Sequence, residues 1–493
     1  MYYLGYDIGS SSVKVALVSA ETGESLGALH EPPGEMEIHS PQPGWAEQDP
    51  ELWWELVCKA TKRILNESGI SSEQISAIGI AYQMHGLVVV DPDGQPLRPA
   101  IIWCDSRAVS IGNQALNDLG QDYCRDHLLN APGNFTASKL KWVQQHEPAI
   151  YARIHHYMLP GDYIAYRLTG QYSTTRNGLS EGTLWDYKQN QIATELLDYY
   201  GINTMLTPPL VNNFEDQGTV HQQAAEASGL PAGIPVRYRS GDQPNNALSL
   251  NILKPGEVAI TGGTSGVIYA VSDHLQPQEI SKVNQFAHVN HTPDQQMIGR
   301  LLNINGAGIQ YRWLKKTFQV ESYAVMNEEA ARIPVGSDGL ITLPFGNGAE
   351  RMFSNRRLGS QWANLDFNRH HQGHLCRSAL EGIAFAFVYG MELLKKDQTQ
   401  IAVIRTGNDN LFRSSLFAET VATLIGHDIE IYNTTGAVGA ARAAGITNGD
   451  FDAFSDQISR NDLVTTVRPL AQKKPYQEAY ARWKICLSKH LNT

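Results

Sequence analysis

Tyr3-Leu4-Gly5-Tyr6-Asp7-Ile8-Gly9-Ser10-Ser11-Ser12-Val13-Lys14-Val15-Ala16-Leu17-Val18 places two apolar, β-rich runs around a short turn of Gly9, Ser10, Ser11 and Ser12. Such runs on either side of a small polar turn predict a β-hairpin. The turn is crowded with hydroxyl and backbone N–H donors, the groups that can wrap a phosphate. Asp7 ends the first strand, and Lys14 stands just inside the second. A carboxylate beside a bound phosphate is a natural Mg²⁺ holder. Taken alone, the turn is equally well an ordinary hairpin whose serines face water.

Outward from this hairpin, residues 25–30 form a third strand after the turn Glu21-Thr22-Gly23. Asp49-Pro50 is a helix start, N-cap then first helical residue. Trp53, Val57, Ala60 and Ile64 follow at helical spacing, and Gly69 is the stop. Residues 75–81 are a short apolar run without alternation, the mark of a buried strand. It empties into Gln83-Met84-His85-Gly86. The order β-β-β-α-β predicts an α/β sheet with ligands beyond the strand ends, which puts that loop in a binding position.

Near the middle of the chain the opening move returns. Residues 258–271 again run strand, Gly/hydroxyl turn, strand, with Gly263, Thr264 and Ser265 in the turn. Two such hairpins predict an internal duplication with a cleft between the halves. Two hydroxyl-rich turns, one per half, could grip a polyphosphate from opposite sides, and phosphoryl transfer then needs a metal, a nucleophile and a base. Asp7 is the metal candidate. Asp242, in the loop Arg239-Ser240-Gly241-Asp242-Gln243-Pro244-Asn245-Asn246 just before the second hairpin, is the candidate base. Its plainer reading is a turn residue capping the next helix. Further on, residues 401–405 predict a strand, Thr406-Gly407-Asn408-Asp409-Asn410 a loop, and residues 414–425 a helix, an arrangement that can seat a nucleotide phosphate. The small residues at 436–445 predict a helix packed closely against a neighbour.

The bulk properties agree with an enzyme of this kind. The 493 residues allow about two to four domains. With 42% hydrophobic and 18% charged residues the chain is ordinary for a globular protein. A net charge of −11 without a basic block argues against nonspecific nucleic-acid or anionic-membrane binding. Cys58, Cys104, Cys124, Cys376 and Cys486 are scattered, odd in number and without a Cys-x-x-Cys pair, which predicts reduced thiols. No signal peptide or membrane span is expected, and the expected location is cytoplasmic. Nor is there a Gly-x-x-x-x-Gly-Lys-Ser/Thr loop or a Gly-x-Gly-x-x-Gly fingerprint.

These residues together resemble the FGGY family of carbohydrate kinases over nearly the whole chain. Asp7 through Lys14 is similar to its first phosphate motif, and Glu47-Gln48-Asp49-Pro50 with Trp53-Trp54 to its Glu-Gln-Asp-Pro segment. Gln83-Met84-His85-Gly86 resembles the sugar-site motif of members acting on xylulose. Gly241-Asp242-Gln243 is similar to the catalytic Asp segment, and residues 261–266 to the second phosphate motif. Glu350-Arg351 resembles the end of the Gly-Glu-Arg segment, and residues 374–382 the end of the second signature.

The resemblance implies two α/β domains of ribonuclease H-like, actin-type ATPase fold, here 1–245 and 246–493, with ATP and sugar meeting in the cleft. It implies transfer of the ATP γ-phosphate to the 5-hydroxyl of D-xylulose, with Asp242 as base and Mg²⁺ on Asp7. Met84, His85, Asp105 and Gln243 would line the sugar site. Ser10, Ser11, Lys14, Gly263, Thr264, Ser265, Gly306, Gly407 and Asn410 would bind the nucleotide. The partners are then a sugar and ATP, with a homodimer as the assembly to test. The rivals are a family kinase for another ketose or polyol, an actin- or chaperone-like ATPase, and a sugar sensor that has lost catalysis.

Overall fold

Tyr2–Ile8 is the central strand of the first sheet in this computed structural model, which describes residues 1–275, 277, 280–396, 399–447 and 449–492. It pairs antiparallel with Val13–Ser19, so that Asp7 faces Lys14 across the hairpin. Ser25–Glu31 adds the third strand, also antiparallel. On the other side Ile75–Tyr82 and then Val236–Gly241 pair parallel. The helix Pro50–Ser68 supplies the crossover to the parallel strand and starts and stops where the sequence predicts. The Asp49 side chain accepts from the Glu51 N–H, and Gly69 ends the helix at φ 68°. Its apolar stripe, including Trp53, Val57, Ala60 and Ile64, is buried in the core of the first half.

The second half repeats this plan. Glu257–Gly262 pairs antiparallel with Gly266–Ser272, which pairs antiparallel with Ile298–Ile304. Val403–Gly407 and Ile429–Tyr432 follow as parallel neighbours on the other side. Asn284–Ala287 and Leu463–Val467 extend the two edges, making seven strands. The five inner strands of the second sheet thus share the strand order and senses of the first, as the duplicated hairpin predicts. The long helix Gln372–Lys396 is the backbone of the second core, buried along most of its length.

One helix crosses between the halves. Gly436–Ala443 lies against the first sheet although it belongs to the end of the chain. A Cβ on Gly5 would stand 2.1 Å from the Ala437 carbonyl oxygen, and one on Gly79 1.9 Å from that of Ala440. Backbone therefore meets backbone with no side chain between, which is what the run of small residues provides. A further apolar cluster joins Ala81, Met84 and Tyr238 to Ala259, Tyr269 and Ala440, and ties the two sheets together beneath the site.

One local expectation is corrected. Arg239, Ser240 and Gly241 do not lie in a loop between the halves. They end the strand Val236–Gly241, and Asp242 opens the helix Asp242–Ser249. The polar letters misled because their side chains are buried. Arg239 is fully buried against Asp162, 3.2 Å away, and donates to Ser173 Oγ.

Candidate active site

Three parallel strands converge on one place. Tyr2–Ile8, Ile75–Tyr82 and Val236–Gly241 end side by side, and Asp7, the 83–86 loop and Asp242 project from those ends. Ligands in α/β sheets bind beyond the carboxyl ends of strands. Here that position holds the two carboxylates singled out from sequence.

Asp7 is 7% exposed, and its Oδ2 accepts from Lys14 Nζ at 2.9 Å. The pairing lifts the Lys14 ammonium above its ordinary range, against the opposing effect of burial, with Asp242 contributing. Asp242 is half-buried, and Gln243 Nε2 donates to its Oδ2 at 3.3 Å. Desolvation, then the charge on Asp7, pushes the Asp242 carboxyl up to about 7. Asp7, Lys14 and Asp242 therefore feel one another's charge across the strand ends.

The turn of Gly9 to Ser12 is closed by the Gly9 N–H donating to the Ser12 carbonyl at 3.0 Å. Ser11 is exposed and Ser10 partly so. Gln48 braces this turn. Its Nε2 donates to the Ser10 carbonyl at 2.7 Å, while its Oε1 accepts from Trp53 Nε1 and from Gln83 Nε2. One side chain thereby links the serine turn to the start of the 83–86 loop.

In that loop His85 sits at φ 61°. Its Nδ1 lies 2.7 Å from the carbonyl oxygen of Glu181. A carbonyl only accepts, so Nδ1 carries the proton and Nε2 is left as an acceptor. Desolvation, then the charges on Lys139 and Arg351, pushes the His85 ring down to about 3, so it is neutral. Lys139, fully buried, donates to the His85 carbonyl at 2.8 Å and to that of Ile102 at 3.0 Å. Burial pushes its ammonium down to about 7. Met84 is buried at the same place, its Cγ 2.6 Å from where a Cβ on Gly241 would stand.

Asp105, expected to line the sugar site, has no exposed surface in this structure. It is fully buried, its Oδ2 accepts from the Ala46 N–H and the Arg107 guanidinium, and its Oδ1 accepts from the Arg107 N–H. Its oxygens are committed to holding the segment in shape. The neighbouring Trp103 reaches the site instead, half exposed, its Nε1 donating to Ser10 Oγ at 3.3 Å.

The second hairpin borders a cavity of about 550 Å³. Gly263, Thr264 and Asn410 line it, as expected, together with Gly308, Tyr311 and Arg413, which sequence reasoning missed. The helix Gly308–Thr317 starts against the turn, the Gly308 N–H donating to the Gly263 carbonyl at 3.1 Å. That helix carries Tyr311 into the cavity wall, and an apolar-polar helix after a glycine pair was the only sequence signal for it. Ser265 completes the turn. Gly407 ends its strand beside Asp409. Gly306 is placed differently: a Cβ there would stand 1.7 Å from the Pro344 carbonyl oxygen, and its N–H donates to Glu350 Oε1. Packing against Pro344 requires this glycine, and it is not a wall of the cavity.

Twin sheets of this order, with carboxylates at the strand ends of one and a glycine-rich cavity beside the other, define a two-domain α/β protein of the ribonuclease H-like, actin-type ATPase fold. Residues 2–249 match the FGGY family of carbohydrate kinases, N-terminal domain, and residues 258–447 the C-terminal domain of the same family. The chain belongs to the FGGY family and is a carbohydrate kinase. It is 28% identical to xylulose kinase of Escherichia coli, over 97% of this chain and 98% of that protein. It is 27% identical to a probable L-xylulose kinase of Haemophilus influenzae, over 98% and 97%. The crystal structure of xylulose kinase from Rhodospirillum rubrum is similar at TM-score 0.87 and 25% identity, over 99% of both chains.

Proposed function

We propose that the protein transfers the γ-phosphate of ATP to the 5-hydroxyl of D-xylulose, giving D-xylulose 5-phosphate and ADP. The observation that carries the reading is the meeting of Asp242 with the Met84–His85 loop at adjoining strand ends. The similarity to xylulose kinases supports the choice of sugar. In this reading the lobes are 1–245 and 246–493, and the sugar lies on the first while the adenosine occupies the cavity beside the second hairpin.

Asp242 accepts the proton of the attacking hydroxyl, or at least orients it, which is worth about 10²–10⁴-fold. Its position at the start of a helix fixes the carboxylate relative to the strand ends. His85 Nε2, held as an acceptor, takes a hydrogen bond from a sugar hydroxyl, and Gln243 offers its amide beside Asp242. A polar site built for hydroxyls rejects analogues that leave its groups unpaired. Ser10, Ser11, Lys14, Thr264 and Ser265 supply donors to the phosphates.

Asp7 suits Mg²⁺. It is a hard oxygen donor, and among the described residues only Oδ2 has a hydrogen-bond partner. No cluster of three metal-ligating side chains is present among the described residues, which fits an ion that takes its other ligands from phosphates and water. Bound there, Mg²⁺ would neutralise charge on the phosphates being transferred. The free thiols suit a reducing cytoplasm, and among the described residues no helix is long and apolar enough to cross a membrane.

The test is a panel of D-xylulose, L-xylulose, ribulose, gluconate and glycerol with coupled ADP detection, on the wild type and Asp242→Ala. D-xylulose should give the highest kcat/KM. The variant should lose at least ~10²-fold in kcat while binding ATP normally. Equal turnover of D-xylulose and glycerol refutes the choice of sugar, and a preference for L-xylulose moves it to the relative from H. influenzae. Near-normal turnover of Asp242→Ala removes Asp242 from the mechanism.

A further inference from the structure

Glu181 is the last residue of the helix Arg176–Glu181, 1% exposed, and nothing in the sequence marks it. It touches both halves of the acceptor site. Its backbone carbonyl is the partner of His85 Nδ1 at 2.7 Å. Its Oε2 lies 2.3 Å from where a Cβ on Gly241 would stand, immediately before Asp242. Its Oε1 is buried without a hydrogen-bond partner among the described residues.

We propose that Glu181 is a positioning residue of phosphoryl transfer: its carbonyl fixes the ring of His85, and its carboxyl, wedged under Gly241, backs Asp242 and leaves the negative charge of the pair on Asp242 alone. The proposal rests on the reading of Asp242 and His85 as the acceptor site.

The surroundings explain how the charge is divided. Asp242 faces Glu181 from the following helix, Asp162 from the helix Pro160–Thr169, Tyr82 from the end of the strand Ile75–Tyr82 and Tyr269 from the second sheet. The nearby cation, Arg239, is paired with Asp162. His85 is neutral. A buried carboxyl with acidic neighbours and no cation of its own keeps its proton, and desolvation, then Asp242 and Asp162, raise Glu181 well above the carboxylate range, against the opposing effect of the His85 backbone and the Tyr82 hydroxyl. Asp242, only half-buried and beside Lys14, is the less desolvated of the two carboxyls. Two carboxyls whose surroundings push them apart in this way take different roles. A protonated Glu181 leaves Asp242 free to accept. An ionised Glu181 would add a second charge beside the transferring phosphate.

The side chain must therefore be present and uncharged. Glu181→Ala should lower kcat and raise the KM for the ketose about tenfold or more, with the KM for ATP unmoved. Glu181→Gln, neutral at every pH, should recover most of that loss. Its kcat should also be insensitive to any ionisation at position 181, so a high-pH fall in kcat that belongs to Glu181 in the wild type should be missing from the variant. Infrared difference spectra, wild type minus Glu181→Gln, should contain a protonated-carboxyl band at neutral pH, and this needs no turnover. Thermal melting checks that both variants fold. The proposal is overturned if Glu181→Gln is as impaired as Glu181→Ala, if Glu181→Ala matches the wild type, or if the carboxyl band is missing. A wild type that turns over no ketose would refute the reading of the site, and the infrared band would still decide the state of Glu181.

Discussion

Asp242, the proposed base, is held in its charged form at the expense of stability. Its folded-state pKa of about 7 lies above the ordinary 3.8, so the folded protein holds that proton more tightly than the unfolded chain. Stability from this group is complete below 3.8 and is lost as pH rises through about 7. Asp242→Asn should therefore melt higher than the wild type at pH values above 7, with the gap closing as pH falls. The same titration governs the proposed chemistry. Below about 7 Asp242 protonates and cannot accept, so kcat/KM for the ketose should fall by about tenfold per pH unit on the acid side. A profile flat down to pH 5 would contradict this.

Most of the proposed site residues could be singled out from sequence because their signals are local. Asp7, Ser10 and Lys14 lie on one hairpin, whose turn composition is read from a dozen letters. Asp105 and Glu181 were not legible, for opposite reasons. Asp105 reads as a free acid at a strand end, yet Ala46 and Arg107 occupy both its oxygens. Glu181 sits in a six-residue helix with no distinguishing pattern, and its meaning arises only where Gly241 and His85 come against it.

At the scale of elements, the helix Gly436–Ala443 deserves a test because its seat is so close. Gly79→Ala would drive a methyl group to within 1.9 Å of the Ala440 carbonyl oxygen. Overpacking of this kind typically destabilises by about 1–3 kcal/mol, which urea unfolding would measure. The helix also begins beside the site: a Cβ on Gly436 would lie 2.9 Å from Asp7 Oδ2, and Asn245 Nδ2 donates to the Gly436 carbonyl. Displacing the helix should thus lower kcat as well as stability. Unchanged turnover in a destabilised Gly79→Ala would mean that the helix does not position Asp7. Small residues at 436–445 announced close packing, but not the partner, since the first sheet lies at the far end of the chain.

For the whole molecule, the proposed division of the phosphate turns between two lobes predicts that chemistry waits on closure. Closure excludes water, which otherwise competes with the sugar for the phosphate. Ketose with a non-hydrolysable ATP analogue should reduce the radius of gyration in X-ray scattering, whereas neither alone should do so fully. ATP hydrolysis without sugar should remain far below the ketose-dependent rate. Sugar-independent turnover at the full rate would favour an ATPase without a small-molecule acceptor. The two halves are also tied where Arg442, paired with Asp462, donates to the Gly23 carbonyl.

The opening hairpin, its copy and the β-β-β-α-β order were determined by the sequence alone, because strand alternation, turn composition and helix caps act over a few neighbouring residues. Local chemistry singled out Asp7 and Asp242 as candidates, and the resemblance to a known family joined His85 to them. Only the tertiary structure decided that Asp242 opens a helix at the end of a buried strand, and that Asp105 is committed to Arg107. It alone put Glu181 beneath Gly241 and the last small-residue helix on the first sheet. Each of these depends on which distant segments exclude water from one another, and burial of that kind is set by the packing of the whole chain.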